Sequence, residues 1–315
     1  MKNSFLIWIP SIQNYLRFSE LTNNQYRGLL KVLDDLTEVE FFYQLNQTIK
    51  DNLITPFDVD LLTTIDRFII CVFLKMYSCS SHISLTRVCE KCKNSSTINL
   101  DLSKLIPVLA PKIDKKFSTV IQYEMYKCLV DIPTIKTEYE IFENSLLKNE
   151  DKTSLDNVYD NYIISHIKTL DVNNSQIDFN ALDLKTKKLI FSKLPAGLVD
   201  NIRNEFLTPI HESLADISFM DMSCAGCKEK FDLKFQINFI SDLIKIIFKD
   251  NSIGSLMMDV YNLGSAAHID PNFLMQISPM EMGILVDYAK EVNKQKSENK
   301  NEKQIDLFET PSEFT

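Results

Sequence analysis

Four of the seven cysteines form two Cys-x-x-Cys pairs, Cys89 with Cys92 and Cys224 with Cys227. A turn of this kind presents two thiolates to one ion, and zinc in structural sites takes four such ligands in a tetrahedron. Segments rich in β-forming residues flank both pairs, so each pair is predicted to lie in a turn between two strands. We therefore predict one structural zinc ion held by these four side chains.

Other interpretations of the cysteines remain open. Cys79 and His82 lie close enough to the first pair to close a local site with it, which would leave the second pair without a partner. The two pairs could also pack together in reduced form without metal. A thioredoxin-like redox role is disfavoured because neither pair begins a helix that would lower a thiol pKa. Cys71 and Cys128 fall in apolar stretches and are predicted core residues.

Composition and charge limit the classes of protein to which this chain can belong. The 315 residues are 45% hydrophobic, enough for a substantial core, and the net charge is −9. An acidic chain is poorly suited to coating nucleic acid, so no direct nucleic-acid partner is expected and the partners should be proteins. Pro10 interrupts the short apolar stretch near the N-terminus, so a signal-peptide pattern is not formed there. The apolar run 68–77 contains Lys75 and is about half as long as a membrane span requires. We expect no secretion and no membrane span.

The search for catalytic motifs finds none. The chain has no GxxxxGK, GxGxxG, GxSxG or HExxH pattern. A four-thiolate zinc site is also closed and offers no open position to water. His166, His211 and His268 have no metal spacing among them and are predicted to be structural or surface residues. The sequence therefore predicts a protein that is not an enzyme.

The element pattern predicts an α+β fold. A hairpin around Pro10 leads into helices, with Thr55-Pro56 as a helix start and a buried helix over 68–77. Gly226 is predicted to supply a positive φ in the second Cys-x-x-Cys turn. Strands are predicted within 117–131 and helices over 135–147, 155–170, 184–194 and 195–206. Ser278 and Glu281 form a capping-box pattern before a last helix.

Six segments follow from these patterns. The two knuckles are distant, so 131 residues between them must form a module of their own. The predicted segments are 1–78 (N-terminal hairpin and helices), 79–105 (first zinc knuckle), 106–211 (inserted, mostly helical α/β module), 212–240 (second knuckle, completing a zinc ribbon), 241–296 (C-terminal helices) and 297–315 (disordered tail).

The tail carries one short motif. Gln304, Leu307 and Phe308 belong to the stretch QIDLF, which resembles the Q-x-D-L-F peptide with which bacterial proteins dock on the replication sliding clamp. A disordered tail could insert the leucine and the phenylalanine into an apolar pocket of that partner. The alternative is that the same two side chains anchor the tail to its own domain.

A wider set of segments resembles a known family. The segments are IPS, RFSELTNNQYRGLL, TPFDVDLLTTIDRFIICVFLKMYS, INLDL after the first cysteine pair, IPT, and FSKLPAGLVDNIRNEFLTPI before ISFMDMSCAGC. Together they resemble the T-even-type bacteriophage baseplate hub subunit and hub assembly family over roughly residues 4–290. The resemblance implies a myovirus tail protein that is made in the host cytoplasm and enters or helps to build the baseplate hub. The four cysteines of the two pairs are the positions of this chain that match the family pattern residue by residue.

The function predicted from the sequence is thus structural. The chain should be a component or assembly factor of a phage baseplate hub that recognises other tail proteins and holds one structural zinc ion. The alternative is a cytoplasmic zinc-ribbon adaptor that is recruited to a sliding clamp or to the transcription machinery through QIDLF. Whether the product stays in the virion is left open at this point.

Overall fold

The computed structural model describes residues 3–35, 38–104, 118–147, 155–173, 175–206, 208, 218–234, 240–248 and 252–305. Helices and antiparallel sheets both occur in it, as the α+β prediction requires. The strands are β1 (Ser4–Ile9), β2 (Asn14–Ser19), β3 (His82–Val88), β4 (Ser95–Asp101), β5 (Ser118–Tyr123), β6 (Tyr126–Asp131), β7 (Ile167–Val172), β8 (Ser175–Asp178), β9 (Ser218–Ser223) and β10 (Lys230–Lys234). The helices are α1 (Asn23–Asp35), α2 (Glu38–Asn52), α3 (Thr64–Ser78), α4 (Ile135–Leu147), α5 (Leu155–His166), α6 (Leu184–Phe191), α7 (Ala196–Glu205), α8 (Ile240–Phe248), α9 (Ile253–Ala266), α10 (Pro271–Gln276) and α11 (Pro279–Ile305).

The predicted N-terminal hairpin is confirmed. β1 and β2 pair antiparallel across a short 3₁₀ turn that begins at Pro10. Alternate residues of both strands point inward and are fully or almost fully buried, as a half-buried sheet requires. The inward-facing residues are Ile7, Ile9, Leu16 and Phe18.

The predicted helix start at Thr55-Pro56 is wrong. The Thr55 hydroxyl accepts a hydrogen bond from the Arg17 amide at 2.9 Å, so this residue holds the edge of β2 instead of capping a helix. The helix α3 begins eight residues later. Thr63 and Asp66 form its capping box, each side chain accepting from the other residue's backbone amide at 3.2 and 2.8 Å.

Helix α3 is the centre of the N-terminal core, and its predicted burial is confirmed. Helices α1, α2 and α8 pack around this core, and the ring of Phe248 on α8 lies 6.4 Å from that of Tyr26 on α1. Lys75 is buried within α3 and donates to the Tyr26 hydroxyl at 3.3 Å. A buried ammonium is tolerated because it finds polar and aromatic partners.

The segment between the knuckles contains a four-stranded antiparallel sheet in the order β5-β6-β7-β8. The helix predicted over 155–170 is therefore wrong in its last four residues, since α5 ends at His166 and β7 follows at once. β7 lies between β6 and β8, where both of its edges are hydrogen-bonded. Its Leu170 faces Cys128 of β6, and both side chains are buried.

This inserted segment is joined to the N-terminal core through α4. Thr64 donates its amide to the Pro133 carbonyl at 3.1 Å, and Ile135 donates to the Leu62 carbonyl at 2.7 Å. In addition to these bonds, Arg67 of α3 forms a fully buried ion pair with Glu138 of α4. Its guanidinium also lies over the ring of Phe42 at 4.5 Å.

The C-terminal helices close against α1. Asn23 is fully buried, donates its side-chain amide to the Leu274 carbonyl at 2.7 Å and donates its backbone amide to the Ile277 carbonyl at 2.8 Å. The capping box of Ser278 and Glu281 is confirmed. Helix α11 runs on to Ile305, past the boundary predicted at 296, because Lys, Glu and Gln favour helix and no Gly or Pro occurs between positions 297 and 305.

None of the described helices combines the length and the apolar character that a membrane crossing requires.

Candidate metal centre

Each Cys-x-x-Cys pair lies at the turn of a two-stranded hairpin. β3 and β4 pair up to Val88 opposite Ser95, and β9 and β10 pair up to Ser223 opposite Lys230. The cysteines occupy the residues between these strand ends. The predicted order of strand, turn and strand is therefore confirmed for both pairs, and the two hairpins place their turns side by side.

The two turns share one backbone conformation. In each, the amide of the first cysteine donates to the carbonyl five residues later, and the residue after the second cysteine donates back to the first cysteine's carbonyl. That last donor has a left-handed conformation, with φ of 57° at Lys93 and 61° at Lys228. The bonds are Cys89 to Asn94 and Lys93 to Cys89, both 2.9 Å, with Cys224 to Glu229 at 2.9 Å and Lys228 to Cys224 at 3.0 Å.

The role predicted for Gly226 is wrong, because no described glycine has a positive φ. A β-carbon at Gly226 would instead lie 2.4 Å from the side-chain nitrogen of Asn94 on the other hairpin. A side chain at position 226 would therefore have to displace the side chain of Asn94, and glycine avoids this contact between the two turns. The positive φ expected of it belongs to Lys228, two positions later.

The four predicted cysteine side chains converge on one point. Their sulfur atoms all lie within 4.8 Å of one another. Two of the distances between the hairpins are 3.7 Å, from Cys89 to Cys227, and 3.6 Å, from Cys92 to Cys224. Four sulfurs at the usual ~2.3 Å from a tetrahedral zinc ion are about 3.8 Å apart. The four thiol donors and their convergence are compatible with a zinc ion.

Backbone amides prepare two of these thiols for ionisation. The amides of Cys227 and Gly226 lower the pKa of Cys224 to about 6, and those of Cys92 and Lys91 lower the pKa of Cys89. The Glu229 amide lowers the pKa of Cys227, but burial and the three neighbouring thiols outweigh it and raise that pKa to about 11. Four thiolates this close repel one another unless a cation lies among them.

A surface ion pair spans the same junction. Lys91 of the first turn donates to Glu229 of the second hairpin at 2.6 Å, and this contact raises the pKa of Lys91. No local sequence pattern indicates this pair, because the two residues lie 138 positions apart. It adds a polar contact between the hairpins on the solvent side of the cysteines.

The remaining cysteines lie elsewhere. Within the part of the chain that the structure describes, the four clustered cysteines form the single group that could hold a metal, so Cys79 and His82 do not join it. His82 instead contacts the Ser81 hydroxyl at 3.0 Å. Cys71 and Cys128 are fully buried, as predicted, and burial raises the pKa of each to about 12.

The other predicted positions separate into described and undescribed residues. His166 is buried, and desolvation lowers its pKa to about 4, so it is a neutral core residue. His268 is exposed at the surface. Gln304 belongs to the last turns of α11, where only the backbone is described. Leu307, Phe308 and His211 lie outside the described residues, so QIDLF docking stays a prediction.

Comparison with family models supplies the identification. The sequence model of the T4 bacteriophage base plate protein family matches residues 1–245. The chain belongs to this family. The match spans both hairpins and all four clustered cysteines, and it ends within α8. Searches of curated proteins and of solved structures found no significant match.

Membership in this baseplate family confirms the resemblance noted in the sequence. It implies a location in the tail baseplate of the virion and contacts with other phage baseplate proteins. Helices α9 to α11 lie beyond the matched residues.

Proposed function

We propose that this baseplate protein is a structural or assembly component of the central hub, and that one zinc ion joins its two cysteine hairpins into a four-cysteine zinc ribbon. The observation that carries the proposal is the convergence of four sulfur atoms from turns 132 to 138 positions apart. A coordinatively closed zinc of this kind holds structure and does not activate water.

The ion acts by fixing the orientation of neighbouring parts of the chain. The hairpin of β3 and β4 follows directly from α3, the central helix of the N-terminal core. The hairpin of β9 and β10 follows the inserted segment. Joining the two hairpins therefore ties the end of the insertion back to the core, so a partner in the hub meets a preformed surface. Less ordering entropy then opposes assembly.

One groove of the described surface is lined by charged side chains, and their pairing fits a non-catalytic role. This groove of about 290 Å³ lies between α2 and α4. Its charges pair with one another, Lys50 with Asp60 at 3.0 Å and Lys136 with Glu140 at 3.9 Å. Burial, with Glu143 and Tyr43 nearby, raises the pKa of Tyr139 there, away from neutral pH.

Metal content tests the zinc proposal directly. The purified full chain should carry one zinc ion, measured by elemental mass spectrometry. Cys89→Ser and Cys227→Ser should each remove most of it, because a site with three ligands binds zinc much more weakly than one with four. Cys79→Ser and His82→Ala are matched controls and should retain the metal. Loss of zinc in either control, with retention in Cys224→Ser, would refute the four-cysteine site.

The hub role has its own test. Mass spectrometry of purified virions should find the protein at stoichiometric copy if it is a permanent subunit. Absence from virions, together with its presence in assembly intermediates, would identify an assembly factor. Absence from both would overturn the hub proposal while leaving the zinc site untouched.

A further inference from the structure

Strand β1 of the N-terminal hairpin is an apolar edge strand. Among the described residues its sheet contains β1 and β2 alone, so one side of β1 has no neighbouring strand. Natural edge strands usually carry a charge, a proline or a bulge, which discourages pairing with another chain. β1 contains no charge and no proline, and its register with β2 is unbroken. By contrast, β3, β4 and β8 each carry a charged residue, namely Arg87, Asp101 and Asp178.

The hydrogen bonds of the hairpin show which backbone groups of β1 are free. The Glu20 amide donates to the Asn3 carbonyl at 3.2 Å, which makes these two residues a hydrogen-bonded pair. Such pairs alternate with non-bonded pairs along an antiparallel ladder, so the odd-numbered residues of β1 bond to β2. The even-numbered residues direct their N–H and C=O groups away from β2, and no described residue bonds to these groups. These residues are Ser4, Leu6 and Trp8.

The opposite edge of the same hairpin is already occupied. Arg17 of β2 donates its amide to the Thr55 hydroxyl at 2.9 Å, and its carbonyl accepts from the Ile54 amide at 2.8 Å. The chain thus places an extended segment of its own on the edge of β2, and no described segment lies on the edge of β1. Alternating free N–H and C=O groups match the spacing of an extended chain, so the occupant that they select is a strand.

The solvent face beside this edge is apolar around one positive charge. Leu6, Tyr15 and Ile54 are 52%, 56% and 52% exposed, and the centroid of the Trp8 ring lies 5.0 Å from that of Tyr15. Arg17 is exposed opposite Leu6. It is the only charged residue between positions 4 and 19, and no described carboxylate pairs with it. An incoming strand therefore meets apolar side chains and a guanidinium that lacks a counter-ion in the described chain.

We propose that β1 binds an extended segment of another baseplate protein, which adds a strand beside β1 and carries an acidic residue among apolar ones. The added residue opposite Leu6 has its side chain on the same face as Arg17. Neighbouring strands are ~4.8 Å apart, so its Cα lies roughly 10 Å from that of Arg17, a distance that arginine and glutamate side chains together span. The inference rests on membership in the baseplate family and is independent of the zinc ion.

Charge argues against a second copy of this chain as the occupant. The β1 strand of a second copy brings no carboxylate, so Arg17 would stay without a counter-ion. Each copy also has a net charge of −9, and two such chains repel one another. An acidic segment of a different chain supplies the missing carboxylate.

A peptide titration of the full-length protein tests the charge preference. Trp8 is the only tryptophan of the chain, so its fluorescence reports on this edge. The probe is a short peptide of alternating valine and threonine with one central glutamate, and we expect it to shift the Trp8 emission to saturation. The same peptide with lysine in place of glutamate should bind at least about ten-fold more weakly, and Arg17→Glu should reverse this preference. Absence of binding, or equal binding of both peptides, would overturn the proposal.

Backbone changes test strand addition itself. Two versions of the glutamate peptide are methylated at complementary sets of alternate amides, and one should bind while the other should not, because only one set faces β1. If both or neither bind, strand addition is wrong.

A variant of the protein makes the same test from the other side. Leu6→Pro removes a free N–H and no bond to β2, so the hairpin should stay folded and peptide binding should be lost. Leu6→Thr keeps the N–H and is the matched control. A Leu6→Pro protein that folds and binds as tightly as this control would also overturn the proposal.

Hydrogen exchange tests the same edge in assembled particles. In purified baseplate assemblies, the amides of Leu6 and Trp8 should exchange at least about ten-fold more slowly than in the free chain, whereas Ile7 and Ile9 should be protected in both. Unprotected Leu6 and Trp8 in the assembly would overturn strand addition and leave the hub role standing. Absence of the protein from every assembly would overturn the hub role, and the peptide titration would still decide the edge. A dimer of the free chain that Leu6→Pro disrupts would assign the edge to a second copy and overturn the proposal.

Discussion

Two joints connect distant segments of this chain, and they differ in how they are built. The cysteine cluster joins hairpins up to 138 positions apart, whereas the Arg67–Glu138 pair joins helices 71 positions apart. The ion pair is fully buried among apolar side chains of two helices. The cluster connects two-stranded hairpins, which alone bury too little apolar surface to be stable. Core packing maintains the inner joint, the Arg67–Glu138 pair, and we propose that the outer joint, the cysteine cluster, depends on a metal.

Removing the metal should give the largest effect and should confine it to the outer joint. Zinc contributes on the order of 10 kcal/mol or more to the folding of small zinc modules. After chelation, we expect the amides of β3, β4, β9 and β10 to exchange rapidly in hydrogen-exchange mass spectrometry, while those of α3 keep their protection. Addition of zinc should restore the hairpins. Simultaneous loss of protection in α3 would show that the two joints are not independent.

Breaking the inner joint should destabilise the whole fold. Glu138→Ala leaves the Arg67 guanidinium buried without its carboxylate, which typically costs about 3–5 kcal/mol. Urea denaturation should show this loss without a change in zinc content. Lys136→Ala is the matched control on the same helix, because its pair with Glu140 is exposed and should contribute less than about 0.5 kcal/mol. A Glu138→Ala protein as stable as the control would mean that the ion pair is dispensable.

Acidification should weaken the outer joint in a graded way. Cys227, with a pKa of about 11, must release a proton to bind zinc, so the affinity should fall about ten-fold per unit of decreasing pH. Below about pH 6 the fall should steepen, because Cys224 then becomes protonated as well. In the metal-free protein, the pKa of Cys224 is lowered from its ordinary value of 9.0 to about 6, which stabilises the folded state. This contribution is complete above pH 9.0 and is lost as the pH falls through about 6.

Competition titrations with a chromophoric chelator between pH 5.5 and 8 would measure this dependence. A zinc affinity that does not change with pH would contradict thiolate ligation by Cys227.

The smallest effect is expected from the surface ion pair. Lys91 and Glu229 have side chains that are 66% and 49% exposed, and exposed pairs of this kind contribute little. Lys91→Ala should therefore leave zinc content and melting temperature unchanged at physiological salt. A measurable loss of zinc in this variant would show that the lysine charge helps to hold the thiolate cluster.

The sequence predicted what depends on local spacing. The cysteine pairs and their flanking strands, and the helix Ile135–Leu147, all follow from patterns within about twenty residues. Residues 167–170 were predicted as the end of a helix because a short apolar pattern fits either period, and pairing with β6 and β8 decides in favour of a strand. Thr55 satisfied the local rule for a helix start, but its hydroxyl bonds to β2.

The contacts that sequence reasoning missed are long-range and polar. Nothing near Arg67 or Glu138 in the sequence distinguishes them from charged residues on a solvated helix face. Their burial follows from the way α4 docks on α3, which no local pattern encodes. The residues at positive φ were also placed wrongly, since Lys93 and Lys228 hold conformations in which glycine is the usual expectation.

The separation of the two cysteine turns also orders events during synthesis. Cys92, the second cysteine of the first turn, leaves the ribosome 132 residues before Cys224. At about 5–20 residues per second, this interval lasts roughly 7–26 s. During that time the first turn offers a metal only two ligands, while the inserted sheet and helices are still emerging. The last two ligands become available only when this segment is complete. A four-cysteine site can therefore form only after the chain between the turns has been made and its ends have come together.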